Sequence, residues 1–375
     1  MRIEPFAVEQ WMNDYETRCR YNLAETCVES ITVDELLRLA DHEPDRLRDE
    51  LLDIQLTYGP IPGSDRVRHA IAALYEHQGI DNVLVTHGAI GANHLVHLTL
   101  VETEDSVVPI VPTYQQHTAI PASIGADVRP LRLRSENGYL PDLDELDSLV
   151  DDTTKLVALT NPNNPTGSLI DRPMLEDIAA ICDRVGAWLL CDEVYRGIDQ
   201  DDPGTTASVA DIYHRGISTG SMSKAFSLAG LRLGWVTGPA DITEEVMIHR
   251  DYNTISVGMV DDHLASIALE HAEAILGRNR TLVRANNAMV DEWLRGQDAL
   301  TWVRPRGGTT GLLEFPEPTD SVAFCKDLFH QTGVLLMPGS ALATESTLRI
   351  GYANNPTILS DGLAQLGSYL QGRSR

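Results

Sequence analysis

Apolar and polar residues keep two alternating rhythms along most of this chain. From Val83 onward, VLVT precedes GANHLVHLTL, SVVPIV precedes YQQHTAIPASIG, and DVRPLRL precedes DLDELDSLV. TKLVALT then leads into the turn NPNNPTG and the segment MLEDIAAICDRVG, and AWLLCDEVY and ISTGS follow. Short continuous apolar runs suit strands covered on both faces, and the segments between them carry a helical period. The alternation predicts a doubly wound α/β domain with a mostly parallel sheet.

The flanking regions differ. Near the start, WMNDYETR has a helical period, and TVDELLRLA opens at Thr32 with Glu35 in the capping-box position. Between them, YNLAETCVES has no clean period. LTYGPIPGSDRVRHAIAALYEH is a Gly/Pro-rich loop, with Tyr58 in it, running into a helix. Beyond about Asp241 a long helical stretch leads to strands near ALTWVRP, TTGLLEF, VLLMP and TLRIGYA and helices at SVAFCKDLFHQ and ILSDGLAQLGSYLQ. The expected organisation is an N-terminal segment (1–50) packing with a small domain at the active-site entrance, a large domain (51–275), and a small α+β C-terminal domain (276–375).

Composition narrows the partners. The formal charge is 29 − 55 = −26, which repels nucleic acid and anionic membrane surfaces. No apolar run approaches the length that spans a bilayer. The acidic, amphipathic N-terminus fits neither a secretory signal nor an Arg-rich transit peptide, so a cytoplasmic location is expected. Five cysteines without a CxxC spacing suggest neither a disulfide framework nor a metal site. The preference for Arg over Lys fits a high-salt cytoplasm and a GC-rich genome equally.

The scarcity of lysine focuses the chemistry. Lys224 is one of three, with Lys155 and Lys326, and it stands in SMSKAFSLAGLRLG between serines and Arg232. That grouping suits a pyridoxal-phosphate site: the amine condenses with the cofactor aldehyde while Ser221, Ser223 and Arg232 hold the phosphate. Cationic neighbours would lower the amine's pKa. Gly88 and Ala89 open a helix after a strand, where amides and dipole suit an anion. Asp192 ends an apolar strand, as a partner for a pyridine nitrogen would, and Tyr195 follows three residues later. Asn164, in NPNNPTG, could donate to the ring oxygen, Tyr114 could cover the ring face, and Arg349, inside the apolar strand TLRIGYA, demands a carboxylate. Gly88, Ala89, Tyr114, Asn164, Asp192, Tyr195 and Ser221 to Lys224 all fall at the carboxyl ends of predicted strands, where α/β sheets bind ligands.

NPNNPTG, DEVY, SMSK, GLRLG and LRIGYA together resemble the class I/II aminotransferases, the fold type I pyridoxal-phosphate enzymes. The resemblance implies a large domain with a mostly parallel seven-stranded sheet, and Lys224 as the Schiff-base lysine and proton shuttle. It also implies Asp192 at the pyridine nitrogen, Asn164 and Tyr195 at the ring oxygen, and Tyr114 on the ring. Ser221, Ser223 and Arg232 would take the phosphate, Arg349 the substrate carboxylate, and Asn164 would serve substrate as well. Tyr58 would reach the phosphate of a neighbouring subunit, which implies a homodimer with shared sites. Two departures stand out. The third position of the phosphate turn, often a hydroxyl residue, is Ile90, and the loop that usually carries Gly and Pro over the substrate is YNLAETCVES, whose Glu25 could meet a cationic side chain. RDYNTIS and ALEHAEAIL are similar to capreomycidine synthases, which eliminate and cyclise. The expected reaction is amino-group transfer between an L-amino acid and a 2-oxo acid, with elimination, replacement or cyclisation as the alternative. A non-catalytic cofactor-binding regulator would need a basic DNA-binding module, and the acidic N-terminal segment offers none.

Overall fold

The computed structural model describes residues 2–373. Among these described residues the strands, numbered in chain order, are β1 (Tyr21–Asn22), β2 (Val83–Thr86), β3 (Ser106–Val111), β4 (Asp127–Val128), β5 (Leu131–Arg132), β6 (Thr154–Thr160), β7 (Trp188–Asp192), β8 (Gly216–Ser221), β9 (Gly234–Thr237), β10 (Thr301–Trp302), β11 (Thr310–Glu314), β12 (Val334–Leu335), β13 (Met337–Pro338) and β14 (Thr347–Gly351). The large sheet has the order β2-β9-β8-β7-β6-β3-β4, with β5 also paired to β3. Strands β8, β7, β6, β3 and the β4/β5 edge are parallel. β9 is antiparallel to both of its neighbours, β2 and β8.

The predicted α/β class and mostly parallel sheet are present, with two differences of detail. DVRPLRL forms two short pieces because Pro130, between them, has no N–H to donate to the ladder. GWVT, which the alternation of apolar runs does not single out, is the strand β9. It is only four residues long, and tertiary contacts define it: Trp235 is buried and donates from Nε1 to the Tyr75 hydroxyl at 2.9 Å.

Burial on both sheet faces explains the continuous apolar runs. In β6, Val157 and Leu159 join a cluster with Leu175 and Ile178 from the helix Arg172–Val185. Leu156 and Ala158 face the other way, toward Leu95 and Val96 of the helix Gly88–Leu100. Burying each of the larger of these side chains contributes about 1.5–3 kcal/mol. The sheet is thereby a rigid base whose loop ends can carry chemistry.

A second sheet, β10-β11-β14-β13, is antiparallel. The helix Ala272–Leu294 leads into it, and the helix Ser321–Thr332 packs against β12 and β13. The N-terminal segment is tied to this part of the molecule. β1 pairs in parallel with β12, and Trp11, in the helix Ala7–Tyr15, donates from Nε1 to the Leu336 carbonyl at 2.9 Å. Thr32 and Glu35 form the expected capping box on the helix Val33–Leu39. Among the described residues no helix is long and apolar enough to cross a membrane.

Candidate active site

The carboxyl ends of β7 and β8, the β6 turn, the start of the helix Gly88–Leu100 and the N-terminal segment enclose a cavity of ≈ 370 Å³. Ala89, Ile90, Tyr114, Asn164, Asp192, Tyr195, Ser221, Ser223, Lys224, Arg232, Arg349 and Glu25 line it. Gly88 sits beside it, and Tyr58 lies outside it, 74% exposed.

The floor is set by β7. Asp192 is its last residue, in register with Thr160 of β6 and Thr219 of β8. Its Oδ2 accepts from Asn93 Nδ2 at 2.8 Å and its Oδ1 from the Val194 N–H at 3.2 Å. Thr219 in turn donates to Asn93 Oδ1 at 2.7 Å, which fixes the amide. Burial pushes the Asp192 carboxyl up to about 6, against the lowering effect of these donors and of Lys224. A fixed, buried carboxylate is equipped to pair with a cationic ring nitrogen.

At one end of the cavity, Ser223 N–H donates to Ser221 Oγ at 3.2 Å, and Arg232 Nη1 approaches Ser223 Oγ at 3.4 Å. Gly88 adopts φ +65°, and a Cβ there would come within 2.9 Å of Arg232 Nη2. Only glycine therefore allows the helix N-terminus and the guanidinium to share one anion site. Ile90 adds no hydroxyl, and its side chain is 42% exposed.

On the far side, NPNNPTG braces itself. Asn161 exchanges two hydrogen bonds with Ile170, and Asn163 Oδ1 accepts from Thr166 Oγ1 at 2.8 Å. Asn164 is left facing the cavity, where its Oδ1 accepts from Arg349 Nη1 at 3.3 Å, so its Nδ2 remains as a donor. Arg349 is 2% exposed and also donates to the Ala24 carbonyl at 2.9 Å. Its Nε is buried without a partner among the described residues, which is costly unless a ligand supplies one.

Lys224 Nζ donates to Thr26 Oγ1 at 2.6 Å and reaches Cys27 Sγ at 3.3 Å. The expected lowering of its pKa is not what the geometry gives. Burial does act in that direction, but Cys27, Tyr195 and Glu25 outweigh it and hold the ammonium above its ordinary range. The neighbours nearest the amine are not the cations the motif suggested.

The loop YNLAETCVES has its own means of close approach. Gly351, at the end of β14, abuts it so tightly that a Cβ would lie 1.7 Å from the Glu25 carbonyl oxygen. The glycine expected in the loop is thus on the opposite strand. Glu25 Oε1 accepts from the Thr26 and Cys27 N–H groups at 2.7 and 2.8 Å. Burial raises its pKa, but Lys224 and these donors prevail and the carboxyl is lowered overall.

Five further residues belong to the site beyond those the motifs mark: Asn93, Thr26, Cys27, Glu9 and Glu16. Glu9 Oε1 accepts from the Tyr114 hydroxyl at 2.7 Å, and the Tyr114 ring meets Phe6 at 4.7 Å. Glu9 and Glu16 both line the cavity. Glu16 is pushed up by burial and then by the charges of Glu25 and Glu9. Their seven-residue spacing, two helical turns, was a signal available in the sequence.

Pyridoxal phosphate fits this donor set: an anion cradle at Gly88, Ser221, Ser223 and Arg232, a buried carboxylate at Asp192, and an amine at Lys224 between them. The aminotransferase class I and II family model matches residues 40–364. A PLP-dependent aminotransferase structure from Streptococcus suis superposes with TM-score 0.96 at 36% identity, covering 99% of both chains. Capreomycidine synthase of Streptomyces vinaceus is 33% identical over 98% of this chain and 95% of its own length. Arginine–pyruvate transaminase of Pseudomonas aeruginosa is 30% identical over 81% and 79% respectively. The chain belongs to the class I and II aminotransferase family, and its cofactor is pyridoxal 5′-phosphate.

Proposed function

We propose that this enzyme transfers an amino group between an L-amino acid and a 2-oxo acid. The observation that carries the reading is the placement of Lys224, Asp192 and Arg349 on one cavity. Bound there, the cofactor supplies an aldehyde that condenses with amines and a pyridinium ring that withdraws electrons from the substrate α-carbon. Lys224 Nζ would hold it and would take and return the substrate α-proton. Asp192 stays ionised above about pH 6 and holds the ring nitrogen protonated. Arg349, with Asn164 steadying its guanidinium, takes the substrate carboxylate; Ser221, Ser223 and Arg232 take the phosphate. Tyr195 and the Asn164 amide would donate to the ring oxygen, and Tyr114 would cover the ring.

A second reading, elimination or cyclisation of the amino acid, is favoured by the nearly full-length similarity to capreomycidine synthase. Both readings share every residue named so far and diverge only in product. The holoenzyme incubated with single amino acids, with products identified by mass spectrometry, separates them. Formation of a 2-oxo acid together with the aminated cofactor is expected; ammonia or a cyclised product without that conversion would replace the first reading by the second. Lys224→Ala is expected to abolish covalent attachment of the cofactor, read as the loss of the borohydride-stable mass increment. An increment retained at another residue would remove Lys224 from its role.

We also infer a homodimer. Leu56, Tyr58 and Tyr252 are 90%, 74% and 93% exposed, an arrangement that supports a partner surface. Tyr58, outside its own chain's cavity, is free to serve the partner's phosphate site.

A further inference from the structure

The cavity contains more negative charge than its assigned roles use. Asp192 is committed to the ring nitrogen, Arg232 to the phosphate and Arg349 to the substrate carboxylate. Three carboxylates on the same cavity, Glu9, Glu16 and Glu25, have no ion-pair partner among the described residues. Two cations act on them from within the cavity: Lys224 lowers Glu25, and Arg349 feels the charges of Glu25 and Glu9. Both cations have assigned partners, Lys224 in the cofactor and Arg349 in the substrate carboxylate, so neither is free to pair with the glutamates. Like charges held together in a partly buried site are unfavourable unless a cation joins them.

Arg349, which lines the same cavity and donates to the Ala24 carbonyl, points to the carboxylate of the ligand. Arg349 is 2% exposed with an unpartnered Nε, the state of a guanidinium awaiting a carboxylate. A molecule that satisfies both ends carries a carboxylate at one terminus and a cation at the other. We propose that Glu9, Glu16 and Glu25 form a distal subsite for a cationic side chain, so that the substrate is an α-amino acid ending in a guanidinium or ammonium group. This deepens the amino-acid reading given above and rests on it. Glu16 and Glu25 are the principal ligands: Glu9 already accepts from Tyr114, whereas Glu25 commits only its Oε1, to backbone N–H groups, and keeps Oε2. The helix Ala7–Tyr15 brings Glu9 and its C-terminal continuation brings Glu16, while the loop after β1 brings Glu25. The subsite is thus built by the N-terminal segment alone.

The test uses two ligands that lack an α-amino group and so cannot enter the reaction. 5-Guanidinopentanoate and its neutral isostere 5-ureidopentanoate are titrated calorimetrically into the holoenzyme. The guanidino acid is expected to bind about tenfold to a hundredfold more tightly, the range of a hydrogen-bonded charge pair. Glu16→Gln and Glu25→Gln should each cut that preference by about tenfold while leaving ureido binding within about twofold. Equal binding of the two acids, or a preference that survives both substitutions, would overturn the subsite. Glu16→Gln lies outside the backbone hydrogen bonds that Glu25 makes, so a fold-neutral variant is available. Cofactor attachment at Lys224 is read separately. Its loss with the guanidino preference intact would sink the reaction and spare the subsite, and the reverse result would sink the subsite alone.

Discussion

Asp192 is a carboxylate placed where carboxylates are uncomfortable, and the surrounding residues show how the protein manages it. Asn93 and the Val194 amide stabilise its ionised form without fully offsetting burial, which leaves the group near 6. A carboxyl raised in the folded state weakens folding as pH climbs from its unfolded value to its folded one, and the loss then persists. In cofactor-free protein this predicts a fall of about 1–3 kcal/mol between about pH 4 and pH 6. Asp192→Asn keeps an oxygen for Asn93 and removes the charge. The variant leaves the Val194 N–H without its acceptor at every pH, so the cofactor-free variant is expected to gain on its parent in melting temperature as pH rises from about 4 to about 7.5; a gap independent of pH would contradict this account. Asp192 itself was legible in the sequence because an acid at the end of an apolar strand is conspicuous. Asn93 was not, because an asparagine inside a helix has many fates, and its role depends on β8 bringing Thr219 to fix it.

Among the elements, the loop around Tyr58 depends on a residue far along the chain. Arg250 is 1% exposed, and its guanidinium donates to the carbonyls of Ile61 and Val85, tying the loop to β2. Burial lowers its pKa to about 10, so the charge costs part of what the hydrogen bonds contribute. Arg250→Met should destabilise the protein by about 1–3 kcal/mol, the balance of two unpaired carbonyls against relieved desolvation. Amide exchange should accelerate around residues 56–62. Unchanged denaturation and exchange would show that the clamp is idle. The pattern predicted most of the large sheet, since buried parallel strands announce themselves as apolar runs. It left out β9, whose identity comes from its neighbours, and β1, whose two residues become a strand only by lying against β12. Thr26 and Cys27 were hidden for the same reason: an aperiodic loop acquires meaning only when the fold returns it to Lys224.

At the scale of the whole molecule, apolar side chains near the Arg250 clamp lie open to solvent, Leu56 and Tyr252 most fully. If a second copy covers them, Leu56→Asp with Tyr252→Asp should shift the protein from dimer to monomer in analytical ultracentrifugation. Activity should fall with dissociation, because Tyr58 would lose access to its neighbour's site; a parent protein that sediments as a monomer would rule the arrangement out. The net charge of −26 was legible at once, and Glu25 stood out in its loop, whereas Glu9 and Glu16 were lost within that charge until the fold brought them to the same cavity. The pairing of β1 with β12 has a further consequence. The residues assigned to the cofactor hang from the large sheet, whereas Glu25 follows β1 in the two-stranded β1-β12 ladder and Arg349 lies in the four-stranded sheet, joined through Ala24. The residues proposed for substrate choice and for cofactor chemistry therefore come mostly from different pieces of the chain, which meet where Thr26 and Cys27 touch Lys224. An engineer could exchange the first twenty-five or so residues together with their β12 and β14 contacts, keep Thr26 and Cys27 against Lys224, and retarget the catalyst while its chemical engine is left as it stands.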